Sequence, residues 1–353
     1  MNNNLINTLN SVGKATAIFQ SPDGTEVLLL PYGGRVLGLF SPGSDENYYW
    51  TNPALQESES ARALYESEGW HNSGGDRTFV SPEVDLFFPN FPELSAYAVP
   101  RVVDPGNYRV EKTGENVRLI NRLTLTLARS KAAIELEMVK SVGPALNPLR
   151  YERNVKLDQV DYAGYTLCTS LEIQGKSSAC VGLWNLLQMP HGGELLIPTY
   201  FKTRPKIYFG TVEPADLILS DRLIRFHMRQ TGEHKLGIRA VATTGRVGYV
   251  YRSGGQWAVI IRNFAVNPSG EYIDVPWKDT GDVGYSTQAC NVNSGLGQFG
   301  ELEYHVPAIG QGTGRTRCED VAQVWAFRGA REDINTIVRS LLSSEPAMLP
   351  ESR

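Results

Sequence analysis

Alternation of apolar and polar positions dominates the chain. Over residues 117–128 (VRLINRLTLTLA), Leu119, Leu123, Leu125 and Leu127 fall largely on one face. Over 132–139, Ile134, Leu136 and Met138 alternate with Glu135 and Glu137. A period of two is the strand period, and one apolar face with one polar face predicts antiparallel strands over a core. Residues 25–30 and 35–40 flank Pro-Tyr-Gly-Gly, which reads as a turn between two strands. Further strands are expected at 165–173, 179–188, 217–220, 223–228, 235–242, 246–252, 256–264, 301–306 and 321–327.

Helical spacing is scarce. Residues 330–342 carry Ile334, Ile337, Val338, Leu341 and Leu342 at the i, i+3, i+4, i+7 positions of one helix face. A short docking helix is expected at 1–10, where Leu5, Ile6 and Leu9 lie together, and a polar helical excursion at 54–68. Without a repeat or a composition break, one domain is expected over 1–345, with a disordered tail at 346–353. Many short strands and few helices predict an all-β fold, a large sandwich or barrel of twisted antiparallel sheets.

Composition narrows the partners. A net charge of −4 over 353 residues, with no basic stripe, argues against nucleic acid. No stretch approaches 18 apolar residues, so no membrane-spanning helix is expected. The first residues, MNNNLINTLNSVGK, have neither a basic segment nor an apolar run of the secretory type, which points to the cytoplasm. Cys168, Cys180, Cys290 and Cys318 are widely spaced and read as buried or half-buried free thiols.

Three clusters carry candidate chemistry. Residues 69–90 (GWHNSGGDRTFVSPEVDLFFPN) hold Trp70, His71, Asp76, Arg77 and Glu83 around a Gly74-Gly75 pair. Glycines allow close backbone approach to a ligand, and an arginine fork donates to hydroxyl or carboxylate oxygens. Trp70, Phe79, Phe87 and Phe88 offer apolar faces. In residues 299–307 (FGELEYHVP), strand alternation sets Glu301, Glu303 and His305 on one face, which is expected to line an open, wet groove or else to be a plain solvent-exposed strand face. Neighbouring carboxylates raise one another's pKa, a way of preparing a general acid or base. Residues 183–198 (LWNLLQMPHGGELLIP) add Trp184, Gln188 and His191, against the plainer reading of His191 as an exposed turn residue. His227 and His234 are weaker candidates. The ligand types of His71, Glu303 and His305 suit a borderline metal, but no spacing fixes them, and no metal or cofactor is expected. Serine-elbow, zinc-protease, Walker and dinucleotide motifs are absent.

The order of these segments resembles that of a known family. Gly33-Gly34-Arg35, then GGDRTFVSPE, WNLLQMP and ELEYHVPA resemble the galactose mutarotase-like (aldose 1-epimerase) superfamily, in a divergent, uncharacterised branch. The resemblance implies a β-supersandwich with a concave sugar-binding face. It implies a glutamate base on a late strand, matched by Glu303, and a hydroxyl-holding arginine, matched by Arg77. The family's acid-bearing Asn-His-x-Tyr-Phe-Asn-Leu segment has its counterpart in Trp184-Asn185-Leu186-Leu187-Gln188, without the histidine. His71 or His305 is then expected to serve as acid, with Asp76, Arg77, Glu83, Trp184, Gln188, His191 and Glu301 contacting a small carbohydrate. Two other readings stand beside aldose 1-epimerase-like catalysis. One is a sugar or sugar-acid binding module without turnover. The other is a glycoside hydrolase or lyase using Glu301, Glu303 or Glu83 as paired carboxylates.

Overall fold

The computed structural model describes residues 3–153 and 157–343. Its strands form two large antiparallel sheets, ten strands each among the described residues, and the fold is the expected all-β sandwich. The first sheet runs Ala17–Gln20, Glu26–Leu30, Arg35–Phe40, Asp76–Ser81, Cys180–Pro190, Gly297–His305, Tyr285–Ser294, Gly232–Arg239, Lys206–Phe209, with Ile309–Gly310 paired to Cys180–Pro190. The second runs Leu217–Leu219, Leu223–His227, Glu194–Pro198, Arg246–Ser253, Gln256–Asn263, Arg317–Gly329, Asp161–Gln174, Ala133–Pro144, Asn116–Thr126, Arg109–Thr113.

The alternating strands behave as their pattern dictates. Leu123, Leu125, Ile134, Leu136 and Met138 turn inward and meet Val80, Leu183 and Leu187 of the first sheet in one core. Helix Arg331–Leu341 buries Ile334, Ile337 and Val338 against the second sheet's other face, beside Val259, Trp325 and Phe327. Helix Asn3–Ser11 docks Leu5 and Leu9 on Leu28, Leu37 and Phe40. The 54–68 excursion is a short 3-10 turn, Pro53–Gln56, and helix Ser58–Glu66. The expected tail at 346–353 lies outside the described residues.

Several strands gave no alternation, Asp76–Ser81 and Tyr285–Ser294 among them. Tyr285–Ser294 lies between two other strands with both faces covered, and it is buried from Tyr285 to Val292 although its sequence is largely polar. Cys168, expected to be at least half-buried, is exposed. Among the described residues no helix is long and apolar enough to cross a membrane.

Candidate functional site

Strand parity decides what the Asp76–Ser81 strand presents. Asp76 and Arg77 are neighbours, so their side chains leave the sheet on opposite sides. Asp76 points between the sheets. There it meets Arg262 Nη2 at 2.7 Å, Lys140 Nζ at 3.0 Å and the Tyr165 hydroxyl at 2.8 Å. Burial opposes its charge, but Arg262 and Lys140 outweigh that and hold its pKa below the ordinary value. The expected ligand-contacting role of Asp76 thus gives way to a buried ion cluster joining the sheets. Gly74 and Gly75 likewise serve the fold. At φ +99° and +74°, a Cβ on them would lie 2.4 Å from Trp50 O and 2.2 Å from Val36 O.

On the outer face, backbone register lays out two rows. Arg77 pairs across with Leu186, and Leu186 with Glu303. One step along, Gln188 is level with Glu301, Glu301 with Cys290, and Cys290 with Lys235. The ion pairs cross between the rows, because long side chains reach diagonal neighbours. Arg77 Nη2 binds Glu301 Oε1 at 2.7 Å, which also accepts from Gln188 Nε2 at 3.1 Å. Lys235 Nζ lies 3.2 Å from Glu303 Oε2 and 3.0 Å from Glu83 Oε2. Trp184 Nε1 donates to Glu303 Oε2 at 2.8 Å, and the Lys235 ammonium stands 4.3 Å from the centre of the Trp184 ring. Trp277 Nε1 donates to Glu83 Oε2 at 3.0 Å.

These charges are almost wholly removed from water, Glu303 at 1% exposure and Lys235 at 2%. Burial drives the Glu303 carboxyl up to about 8, with Glu301 and Glu83 adding to the rise and Lys235 opposing it. Burial disfavours the Lys235 charge, yet Glu303 and Glu83 outweigh it and hold that amine above its ordinary value. The Cys290 thiol is pushed up by burial and by Glu301 and Glu303. Several buried polar atoms have no protein partner: Arg77 Nε and Nη1, Glu303 Oε1 and Gln188 Oε1. Such atoms cost free energy unless something binds them.

Arg77, Glu83, Lys235, Glu301 and Glu303 line a cavity of about 400 Å³, with Trp70, Phe88, Tyr97, Trp277 and Phe299 among its walls. The expected open groove is instead partly roofed. Phe88 packs edge-on to Trp277 with ring centres 4.7 Å apart, and Tyr97 packs on Phe88 at 5.4 Å. Phe79 and Phe87 lie beneath, against Trp184.

The histidines fall elsewhere. His71 accepts from the Tyr32 hydroxyl at 2.5 Å and donates from Nε2 to Ser67 O at 2.8 Å, away from the cavity lining. His305 is buried behind Trp184 with ring centres 5.6 Å apart, and its nearest acid is Asp274 at 3.8 Å. Burial, then Lys235, lowers its pKa well below the ordinary value, so it is neutral at physiological pH. His191 meets Asn291 Oδ1 at 3.0 Å and is not part of the lining either. Gln188 supports Glu301 from below. Sequence reasoning passed over Lys235, Tyr97, Cys290 and Trp277, none of which sits in a motif.

Cys290 Sγ and one oxygen each of Glu301 and Glu303 lie within 4.8 Å of one another. Both carboxylates are already engaged by Arg77 and Lys235, so this set fits a metal cation poorly.

Two solved structures share the fold. A galactose mutarotase-like protein from Lactobacillus casei superposes with a TM-score of 0.52 at 10% identity, over 88% of this chain and 100% of that one. A candidate aldose 1-epimerase from Escherichia coli K12 gives 0.51 at 9% identity, over 90% and 100%. No curated protein matches the chain. Residues 3–347 match a family described as a family of unknown function, DUF6786.

Proposed function

The chain belongs to DUF6786, and from the geometry of its cavity we propose that it binds a carbohydrate there and interconverts the sugar's anomers by proton transfer. The carrying observation is the setting of Glu303: Oε1 is unpartnered, Oε2 lies 3.2 Å from Lys235, and burial pushes the carboxyl up to about 8. A sugar offers such a site hydroxyls for the unpartnered Arg77 and Glu303 atoms, and C–H faces for Trp70, Phe88 or Trp277.

In the ionised state, Glu303 takes the proton of the anomeric hydroxyl. An ammonium has three N–H donors; Glu83 takes one of those on Lys235 and Glu303 is held as an ion pair at 3.2 Å, which leaves a donor for the ring oxygen. A proton passes to that oxygen, the C1–ring-oxygen bond breaks, and an open-chain aldehyde forms. The Glu303–Lys235 pair carries the same number of protons before and after. Reclosure on the other face of the carbonyl gives the other anomer. Lys235 here takes the place that the sequence reserved for His71 or His305.

A second reading has its own support. An amine held above its ordinary pKa is a reluctant proton donor, and no histidine lines the cavity. That favours binding without turnover. Paired-carboxylate hydrolysis is disfavoured, because the Lys235 ammonium stands between Glu83 and Glu303 where the scissile bond would lie.

Optical rotation followed over a panel of freshly dissolved aldoses separates these readings. Faster relaxation of at least one aldose with wild-type protein supports catalysis. A ligand-dependent rise in Tm with unchanged relaxation of every aldose assigns the cavity to binding alone.

A further inference from the structure

A second cavity, of about 380 Å³, adjoins the first. It is lined by Glu68, Arg101, Asp104 and Val99, and it shares Trp70, Tyr97 and Leu296 with the Glu303 cavity. One indole ties the two together. Asp104 Oδ2, in the second, accepts from Trp70 Nε1 at 2.8 Å, while the Arg77 guanidinium, in the first, stands 4.8 Å from the Trp70 ring centre. Trp70 is thereby fixed from both sides and cannot swing away without breaking both contacts. The second cavity also has a built polar lining. Asp104 is 2% exposed, its Oδ2 is bound to Arg35 at 2.5 Å, and its Oδ1 has no partner. Arg101 is exposed, so its guanidinium meets water as well as His71.

Resting on the sugar reading above, we infer that the binding site runs through both cavities and that its ligand is a saccharide of two or more linked units. One ring lies over Glu303 and Lys235, and the next lies past Trp70 and Tyr97 against Arg101 and Val99. A single ring over Glu303 and Lys235 leaves the second cavity to water. A second ring exchanges that water for contact with Tyr97 and Val99 and for donors from Arg101. The second cavity sets the Arg101 cation beside Glu68 and Asp104, so it suits a neutral ring with hydroxyls better than an added phosphate.

Isothermal titration calorimetry with disaccharides of α and β linkage, each against its component monosaccharides, tests this. At least one disaccharide is expected to bind about tenfold more tightly than either component, and one more unit to add little. Arg101→Ala, at an exposed position, and Val99→Trp, which fills the second cavity, are each expected to bring that ratio close to one. Disaccharides no tighter than monosaccharides, or a ratio that survives both substitutions, overturns the inference while the one-ring reading stands. Binding of neither mono- nor disaccharides overturns both.

Discussion

Lys235 and Glu303 stand on strands separated by the Tyr285–Ser294 strand and not on the same backbone row, yet Nζ and Oε2 are 3.2 Å apart. The mirror relation holds on the other side, where Arg77, level with Glu303, reaches Glu301 at 2.7 Å. Two crossed pairs on one sheet face leave the cavity floor with alternating, almost wholly buried charge.

Removing the cation exposes what it compensates. Lys235→Met leaves Glu83 and Glu303 buried without their ammonium, which is expected to cost about 3–5 kcal/mol at pH 8. The loss is expected to shrink at pH 5, where Glu303 is protonated. Urea unfolding at the two pH values checks both statements.

The folded-state pKa of Glu303, about 8, lies above its ordinary 4.5. The folded protein therefore holds this proton more tightly than the unfolded chain does. The stabilisation is complete below pH 4.5 and drains away as pH rises to about 8, by at most about 1.4 kcal/mol per pH unit. Wild type is thus expected to lose stability relative to Glu303→Gln across that window, and to hold level above it. Unfolding free energies of the two proteins, differenced at each pH, give the curve; a flat difference removes the basis for a shifted carboxyl.

If ionised Glu303 is the base, kcat/KM for anomerisation rises with pH and levels off near 8. The Trp184 N–H stabilises the ionised form, so Trp184→Phe is expected to move the inflection upward. A pH–rate profile of both proteins reads the shift.

Asp76→Asn strips the charge that Arg262 and Lys140 share between the sheets. A destabilisation of about 3–5 kcal/mol is expected in chemical unfolding, as for any buried pair missing one partner.

What the sequence disclosed, and what it hid, follows from parity and burial. Alternation in 117–128 and 132–139 survives because those strands have one core face and one wetter face. It fails for Tyr285–Ser294, where both faces are covered and polar side chains find partners inside, as Gln288 does with Asp274 at 2.9 Å. Arg77 and Glu303 were legible through their motifs, and both line one cavity. Asp76 was misplaced because its segment shows no alternation to mark it as a strand. Read as a strand, the adjacent Arg77 already forces it to the other face. Lys235 was invisible: a lysine in a strand reads as solvated. Its burial depends on Glu83, 152 positions away, and no local pattern carries that partner.

The most direct test is exchange NMR on a sugar that binds, comparing wild type with Glu303→Gln at equal occupancy of the cavity. Cross-peaks between α and β anomers are expected with wild type and are expected to weaken by about a hundredfold or more in the variant, which still binds. Equal exchange rates for the two proteins would contradict a proton-transferring Glu303.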